Sequence, residues 1–132
     1  MCIRDSITTC YKTKEILMHG YMNTEAFKLT IETKEAHYWS RSRKQIWHKG
    51  KTSGFVQKVT EVRVDDDQDA VWLTVDIGSG SSCHVGYRSC FYRSVPLGKI
   101  ENAREIIEDY LSVKEEMSYF VKNNFQTLKN EF

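Results

Sequence analysis

The sequence predicts a mainly β protein of the α+β class: one β-rich domain followed by an amphipathic helix. Three observations carry that expectation. Short apolar runs rich in Val, Ile, Thr and aromatic residues recur up to residue 77, separated by glycine-rich and polar breaks. Only one segment among them, residues 23–34, carries helix signals. Beyond Pro96, the sole proline, the apolar period changes to steps of three and four. The 132 residues suit a single domain able to bury roughly two-thirds of its unfolded surface.

The elements follow in order. Ile3 to Cys10 and Glu15 to Met22 read as strands. Asn23 to Lys34 reads as a short helix, with Asn23 as N-cap, Glu25 in the first turn, and Ala26, Leu29 and Thr30 on one face. Four strands follow: Ala36 to Arg41, Ile46 to Lys49, Phe55 to Asp65, and Ala70 to Ile77. In FVQKVTEVRV, Val56, Lys58, Thr60 and Val62 oppose Phe55, Gln57, Val59, Glu61 and Arg63, yet the apolar set does not alternate cleanly. Gly50 and Gly54 bracket Lys51–Thr52–Ser53 as a turn, and GSGSS (78–82) is a flexible connection. Past Pro96, Ala103, Ile106, Ile107, Tyr110, Leu111, Met117, Phe120, Val121, Phe125 and Leu128 form one face of a helix. That face is expected to pack on the sheet or on a partner subunit.

Composition sets the class. With 40% hydrophobic and 28% charged residues, disorder and fibrous repeats are excluded. No apolar run approaches the roughly 20 residues of a membrane span, and MCIRDSITTC lacks the apolar stretch of a signal peptide. A cytoplasmic, reducing location is therefore expected, where cysteines serve as thiols or metal ligands rather than disulfides. The net charge of +1 hides internal polarity. Residues 37–63 hold seven Lys/Arg against one acid, a net of +6, while residues 101–132 hold seven acids against four bases, a net of −3. A local positive field suits an anionic ligand, either nucleic acid or a small phosphate compound, or is simply a solvated face.

Three segments carry chemistry. In VDDDQDA, Asp65, Asp67 and Asp69 are two apart; if the strand continues, they share one side and could bind a hard divalent cation through oxygen, with Asp66 opposed. An acidic turn without metal is the alternative, and an EF-hand reading fails because Ala70 replaces its glycine and strand follows. In SSCHVGYRSC, Cys83, His84 and Cys90 are of ligand types that zinc prefers, though buried structural cysteines would look the same. In HYWSRSRKQIWHKGKTSG (37–54), arginine forks, hydroxyls and glycine-exposed amides suit phosphate oxygens, and the aromatic faces could stack on a base. A single-strand nucleic-acid binder could use the same set, but would not need the neighbouring carboxylates and thiols.

Taken together, GYMNTEAF (20–27), ETKEAHYWSRSR (32–43), WHKGKTSGFVQKV (47–59), VDDDQDA (64–70) and CHVGYRSCFYR (83–93) resemble the phosphoribosyl-AMP cyclohydrolase family of histidine biosynthesis in order and spacing. The resemblance implies a β-rich pseudobarrel capped by helix, an intertwined homodimer, and the cofactors Zn²⁺ and Mg²⁺. Residues 7–96 would form the cyclohydrolase-like domain and 97–132 a C-terminal helical extension. Residues 1–6 match nothing in the family and read as a truncated or spurious start. The family's magnesium aspartates fall on Asp65, Asp67 and Asp69, and two of its zinc cysteines on Cys83 and Cys90. Its third zinc cysteine, supplied by the partner subunit, falls on Asp66, a harder ligand.

The implied reaction is hydrolytic opening of the adenine ring of 1-(5-phosphoribosyl)-AMP at C6–N1 by a zinc-activated water. His84 would be the catalytic residue, as base, proton shuttle or fourth ligand, unless it is a neutral histidine in a packed turn. Arg41, Arg43, Lys49, Thr52 and Ser53 would hold the substrate, with His48 nearby. The substrate would be a small nucleotide, with no nucleic-acid or membrane partner. Because Asp66 breaks the ligand set, a catalytically altered or inactive relative that binds nucleotide or metal is the alternative.

Overall fold

The computed structural model describes residues 2–82, 86–103 and 106. The chain divides into two units, Met1–Tyr92 and Arg93–Phe132. Among the described residues the first holds six strands and one helix: β1 (Arg4–Cys10), β2 (Ile16–Met22), α1 (Thr24–Thr33), β3 (His37–Ser40), β4 (Gln45–His48), β5 (Lys58–Val64) and β6 (Ala70–Asp76). A four-stranded mixed sheet runs β2-β1-β6-β5, and β3 pairs with β4 as a separate hairpin. β1 is antiparallel to β2 and parallel to β6; β5 is antiparallel to β6. The isolated bridge Glu35–Lys58 links the approach to the hairpin with the β5 edge. The architecture is thus mainly β with one helix, as the α+β expectation has it. Arg4, Asp5 and Ser6, outside the family resemblance, pair in register with Met22, Tyr21 and Gly20.

Local sequence explains these elements. Asn23 caps α1, its Oδ1 accepting from the Ala26 N–H at 2.8 Å. Lys34 ends the helix in the left-handed region, its N–H donating to Thr30 O. The face that α1 buries is Ala26 and Thr30, and Thr30 Oγ1 ties the helix to β3 by accepting from the His37 N–H at 2.9 Å. The core gathers Leu17, Met18 and Met22 of β2, Tyr38 of β3, and Val71, Leu73 and Val75 of β6. Gly20 lies under Tyr38, where a Cβ would stand 2.8 Å from the ring.

β5 starts at Lys58 rather than Phe55, and its irregular apolar pattern has a structural cause. Val59 pairs with Val75 but Glu61 with Thr74, so Thr60 is the extra residue of a bulge. Val59 and Val62, three apart, therefore both pack on the core. In the second unit the described residues include a 3₁₀ turn, Ile100–Ala103. Of the helix expected past Pro96, every named position except Ala103 and Ile106 lies outside the described residues.

Candidate active site

A cleft of about 550 Å³ opens beside the β3–β4 hairpin. Arg43, Trp47, His48 and Lys49 line it, together with Thr52 and Ser53 from the following turn. Gly50 makes that turn possible: its φ is +88°, and a Cβ would stand 2.3 Å from the Phe55 carbonyl carbon and the Val56 nitrogen. The Gly54 N–H donates to Gly50 O at 2.8 Å, closing the loop and leaving Thr52 and Ser53 exposed at its tip. Ser81 and Gly86, on either side of residues 82–85 in the chain, also line it.

The hairpin fixes its own side chains. His37 and His48 are register partners, and their rings stack at 4.3 Å and 10°. Glu35 holds both: its carboxylate accepts from His48 Nε2 at 2.8 Å and its carbonyl from His37 Nδ1 at 2.8 Å. Arg43 Nε donates to Ser40 Oγ at 3.2 Å, and its guanidinium lies 5.8 Å from the Trp47 centroid. Lys49 is buried. Its ammonium donates to Ser82 O at 2.8 Å and sits 4.9 Å over Trp47. Arg41 stands elsewhere, 3.9 Å over the Tyr21 ring.

Residues 78–90 carry no strand or helix among the described positions, so their polar groups find partners one by one. Arg88 contributes most, donating to Glu15 Oε1 at 2.9 Å, Gly78 O at 2.7 Å and Cys10 Sγ at 3.3 Å. Burial pushes the Cys10 thiol up, but hydrogen bonds from Thr13, the Lys12 backbone and Arg88 outweigh it and leave the pKa at about 7. The Ser89 hydroxyl donates to Ile16 O at 2.6 Å and the Cys90 N–H to Leu17 O at 2.7 Å, seating Cys90 along β2. The exposed Cys90 thiol lies 3.7 Å from Ser82 O. Ser82 is the chain neighbour of Cys83. Cys83 and His84 lie outside the described residues.

The aspartates do not continue the strand. The chain turns at Asp65, where the Gln68 N–H donates to Asp65 O at 3.1 Å and Gln68 takes a φ of +62°. Alternation is lost, and Asp66 does not oppose its neighbours as an extended chain requires. Carboxylate oxygens of Asp65, Asp66 and Asp67 gather within 4.8 Å of one another, all exposed. Asp65 Oδ1 accepts from the Asp69 and Ala70 N–H groups at 2.9 and 3.0 Å. A hydrogen bond shared with Asp69 holds the Asp65 carboxyl well below its usual range and raises Asp69 to about 6. This hard-oxygen cluster suits a divalent cation such as magnesium, and the soft Cys90 sulfur suits zinc.

Sequence reasoning missed Glu35, Gln57 and Ser82, whose partners lie far off in the chain. The fully buried Gln57 accepts from Tyr38 OH at 2.6 Å and donates to Ser82 Oγ at 3.3 Å. A buried glutamine in a β-rich segment was the available signal.

A phosphate-suited basic cleft, whose Lys49 shares the Ser82 carbonyl with the Cys90 thiol, has chemistry suited to a hydrolase acting on a nucleotide, while the carboxylate cluster lies past the other end of β5. A family model described as phosphoribosyl-AMP cyclohydrolase matches residues 18–92. A phosphoribosyl-AMP cyclohydrolase of Rhizobium rhizogenes is 50% identical over 107 residues, covering 80% of this chain and 72% of that protein. One of Brucella abortus is 57% identical over 91 residues, covering 68% and 76%; one of Brucella canis is 51% identical over 106 residues, covering 80% and 76%. The chain belongs to the phosphoribosyl-AMP cyclohydrolase family, a family of hydrolases. Among the described residues, no helix is long and apolar enough to cross a membrane.

Proposed function

We propose that this chain hydrolyses the C6–N1 bond of 1-(5-phosphoribosyl)-AMP, opening the adenine ring in the third step of histidine biosynthesis. The water oxygen bonds to C6, the C6–N1 bond breaks, and the two water protons end on N1 and on the exocyclic nitrogen as C6 becomes a carboxamide carbon. Family membership supports the reaction. The observation that supports this site is a cleft lined by Arg43, His48, Thr52 and Ser53 together with Ser81 and Gly86, which lie on either side of residues 82–85 in the chain.

Cys83 and Cys90 would hold zinc, with Asp66 at the family's third ligand position. Bound there, zinc supplies Lewis-acid activation of water near neutral pH. Asp65, Asp67 and Asp69 would hold magnesium. Arg43 and the Thr52 and Ser53 hydroxyls bind phosphate oxygens at the cleft rim, and Trp47 offers a flat apolar wall. Glu35 orients His48 toward the cleft. His84 handles the proton that moves to N1. The assembly is a homodimer that shares its zinc sites.

Ring opening, followed by ultraviolet absorbance on purified protein, is the test. Cys90→Ala and Cys83→Ala should abolish turnover while melting temperature holds; wild-type turnover in either refutes the zinc assignment. One observation favours the altered-relative reading: Asp66 gathers with the hard donors Asp65 and Asp67. Asp66→Cys separates the two. Tighter zinc binding supports the position as a zinc ligand, and unchanged binding supports the alternative.

A further inference from the structure

Ser82 is gripped by four neighbours. Its N–H donates to Arg88 O at 3.0 Å, and its carbonyl accepts from Lys49 Nζ at 2.8 Å and from the Cys90 thiol at 3.7 Å. Its hydroxyl accepts from Gln57 Nε2 at 3.3 Å. Behind Gln57 the chain of hydrogen bonds runs deeper, through Tyr38 OH at 2.6 Å to Thr8 Oγ1 at 2.7 Å. Gln57, Tyr38 and Thr8 have no exposed surface, and Ser82 is 2% exposed.

Such a chain is an expensive way to fill a core. Apolar side chains of similar volume avoid the desolvation cost, and a partly satisfied network is worse than none. What distinguishes this one is where it ends: on the residue before Cys83 and against the thiol of Cys90. Lys49 reaches the same carbonyl from the other side. Its ammonium donates to that carbonyl while Lys49 also lines the cleft.

We infer that Gln57 and Lys49 are positioning residues, which fix Ser82 and through it, by its N–H on Arg88 O, the seating of Cys90 for metal. This rests on the reading of Cys90 as a zinc ligand. Residues that orient metal ligands typically change metal affinity about 10- to 100-fold when removed.

The test uses the full chain, with zinc affinity measured by competition against a chromophoric chelator, alongside kcat, KM and melting temperature. Gln57→Leu and Lys49→Met should each weaken zinc binding about tenfold or more, and lower kcat with KM within about twofold of wild type. Ser82→Ala, which deletes only the hydroxyl, should weaken zinc less. Gln57→Leu combined with Ser82→Ala should be no worse than Gln57→Leu alone, because the two act through one contact. Leu73→Ala, a core change away from Ser82, lowers the melting temperature and serves as the stability control.

Should Gln57→Leu and Lys49→Met behave like that control, less stable but with wild-type zinc affinity and kcat, the positioning role is overturned. If Gln57→Leu does not fold, Lys49→Met and Ser82→Ala decide by the same criteria. Cys90→Ser distinguishes the underlying reading: if it keeps wild-type zinc affinity, the ligand assignment fails first and the inference with it.

Discussion

Tyr38→Phe removes one oxygen from the middle of the core and leaves every carbon in place. That oxygen lies 2.7 Å from Thr8 Oγ1 and 2.6 Å from Gln57 Oε1, and all three residues are fully buried. Its loss strands the Gln57 carbonyl oxygen and takes a partner from Thr8. Each buried polar group left unsatisfied costs about 1–3 kcal/mol, partly offset because the phenol itself no longer needs desolvating. A net loss of about 2–3 kcal/mol results. With a urea slope near 1.5 kcal/mol/M, the midpoint should fall by roughly 1.3–2 M, measured at fixed protein concentration. A second signature comes from pH. Burial raises the Tyr38 pKa well above its ordinary 10.0. The unfolded phenol thus ionises first, and wild-type stability declines as pH climbs past about 10. Tyr38→Phe should lose that component of the decline. A midpoint shift under about 0.3 M, or equal alkaline slopes in both proteins, would refute the reasoning.

The remaining predictions are local. Gly50→Ala forces a left-handed alanine whose Cβ meets the Phe55–Val56 backbone at 2.3 Å. It should cost at least about 2 kcal/mol by denaturation and raise KM by displacing Thr52 and Ser53. Asn23→Ala deletes the cap on the Ala26 N–H and should cost about 1 kcal/mol, measured the same way. The Cys10 pKa is lowered from 9.0 to about 7, so its stabilising contribution is complete above pH 9 and lost as pH falls through 7. The melting-temperature advantage of wild type over Cys10→Ala should therefore grow from pH 6 to pH 9; a flat difference contradicts the thiolate.

The elements were legible where the signal is local. Asn23 three residues before Ala26, the glycines around Lys51–Thr52–Ser53, and the β-branched runs of β1 and β6 each specify their own backbone. The bulge at Thr60 was not legible, because it depends on how β5 meets β6; the sequence showed only its symptom, broken alternation. Extended chain and acidic turn stayed alternatives for the aspartates because strand propensity in Val62–Val64 says nothing about where pairing stops. Five polar residues between two strands were the overlooked hairpin signal. At the site, Arg43, His48, Thr52 and Ser53 were legible because they sit in one contiguous segment. The bond from Lys49 to Ser82 was not, since the two are 33 residues apart. Arg88 to Cys10 spans 78.

That distance has a reason in the ligand spacing itself. Residues 83 and 90 are seven apart, an odd interval, so an extended strand would send their side chains to opposite faces. For both to serve one ion, the backbone between them must leave the strand geometry, and the described positions 86–90 do so. Leaving it forfeits the sheet's hydrogen bonds, which must be replaced group by group. The replacements are the Arg88 guanidinium on Glu15 and Gly78, the Ser89 hydroxyl on Ile16, the Cys90 N–H on Leu17, and Lys49 and Gln57 on Ser82. Apart from the Gly78 carbonyl, all come from side chains or strand carbonyls distant in sequence. The departure from strand geometry that the proposed shared ion requires is thus the same feature that makes the support of this segment invisible to a reading along the chain.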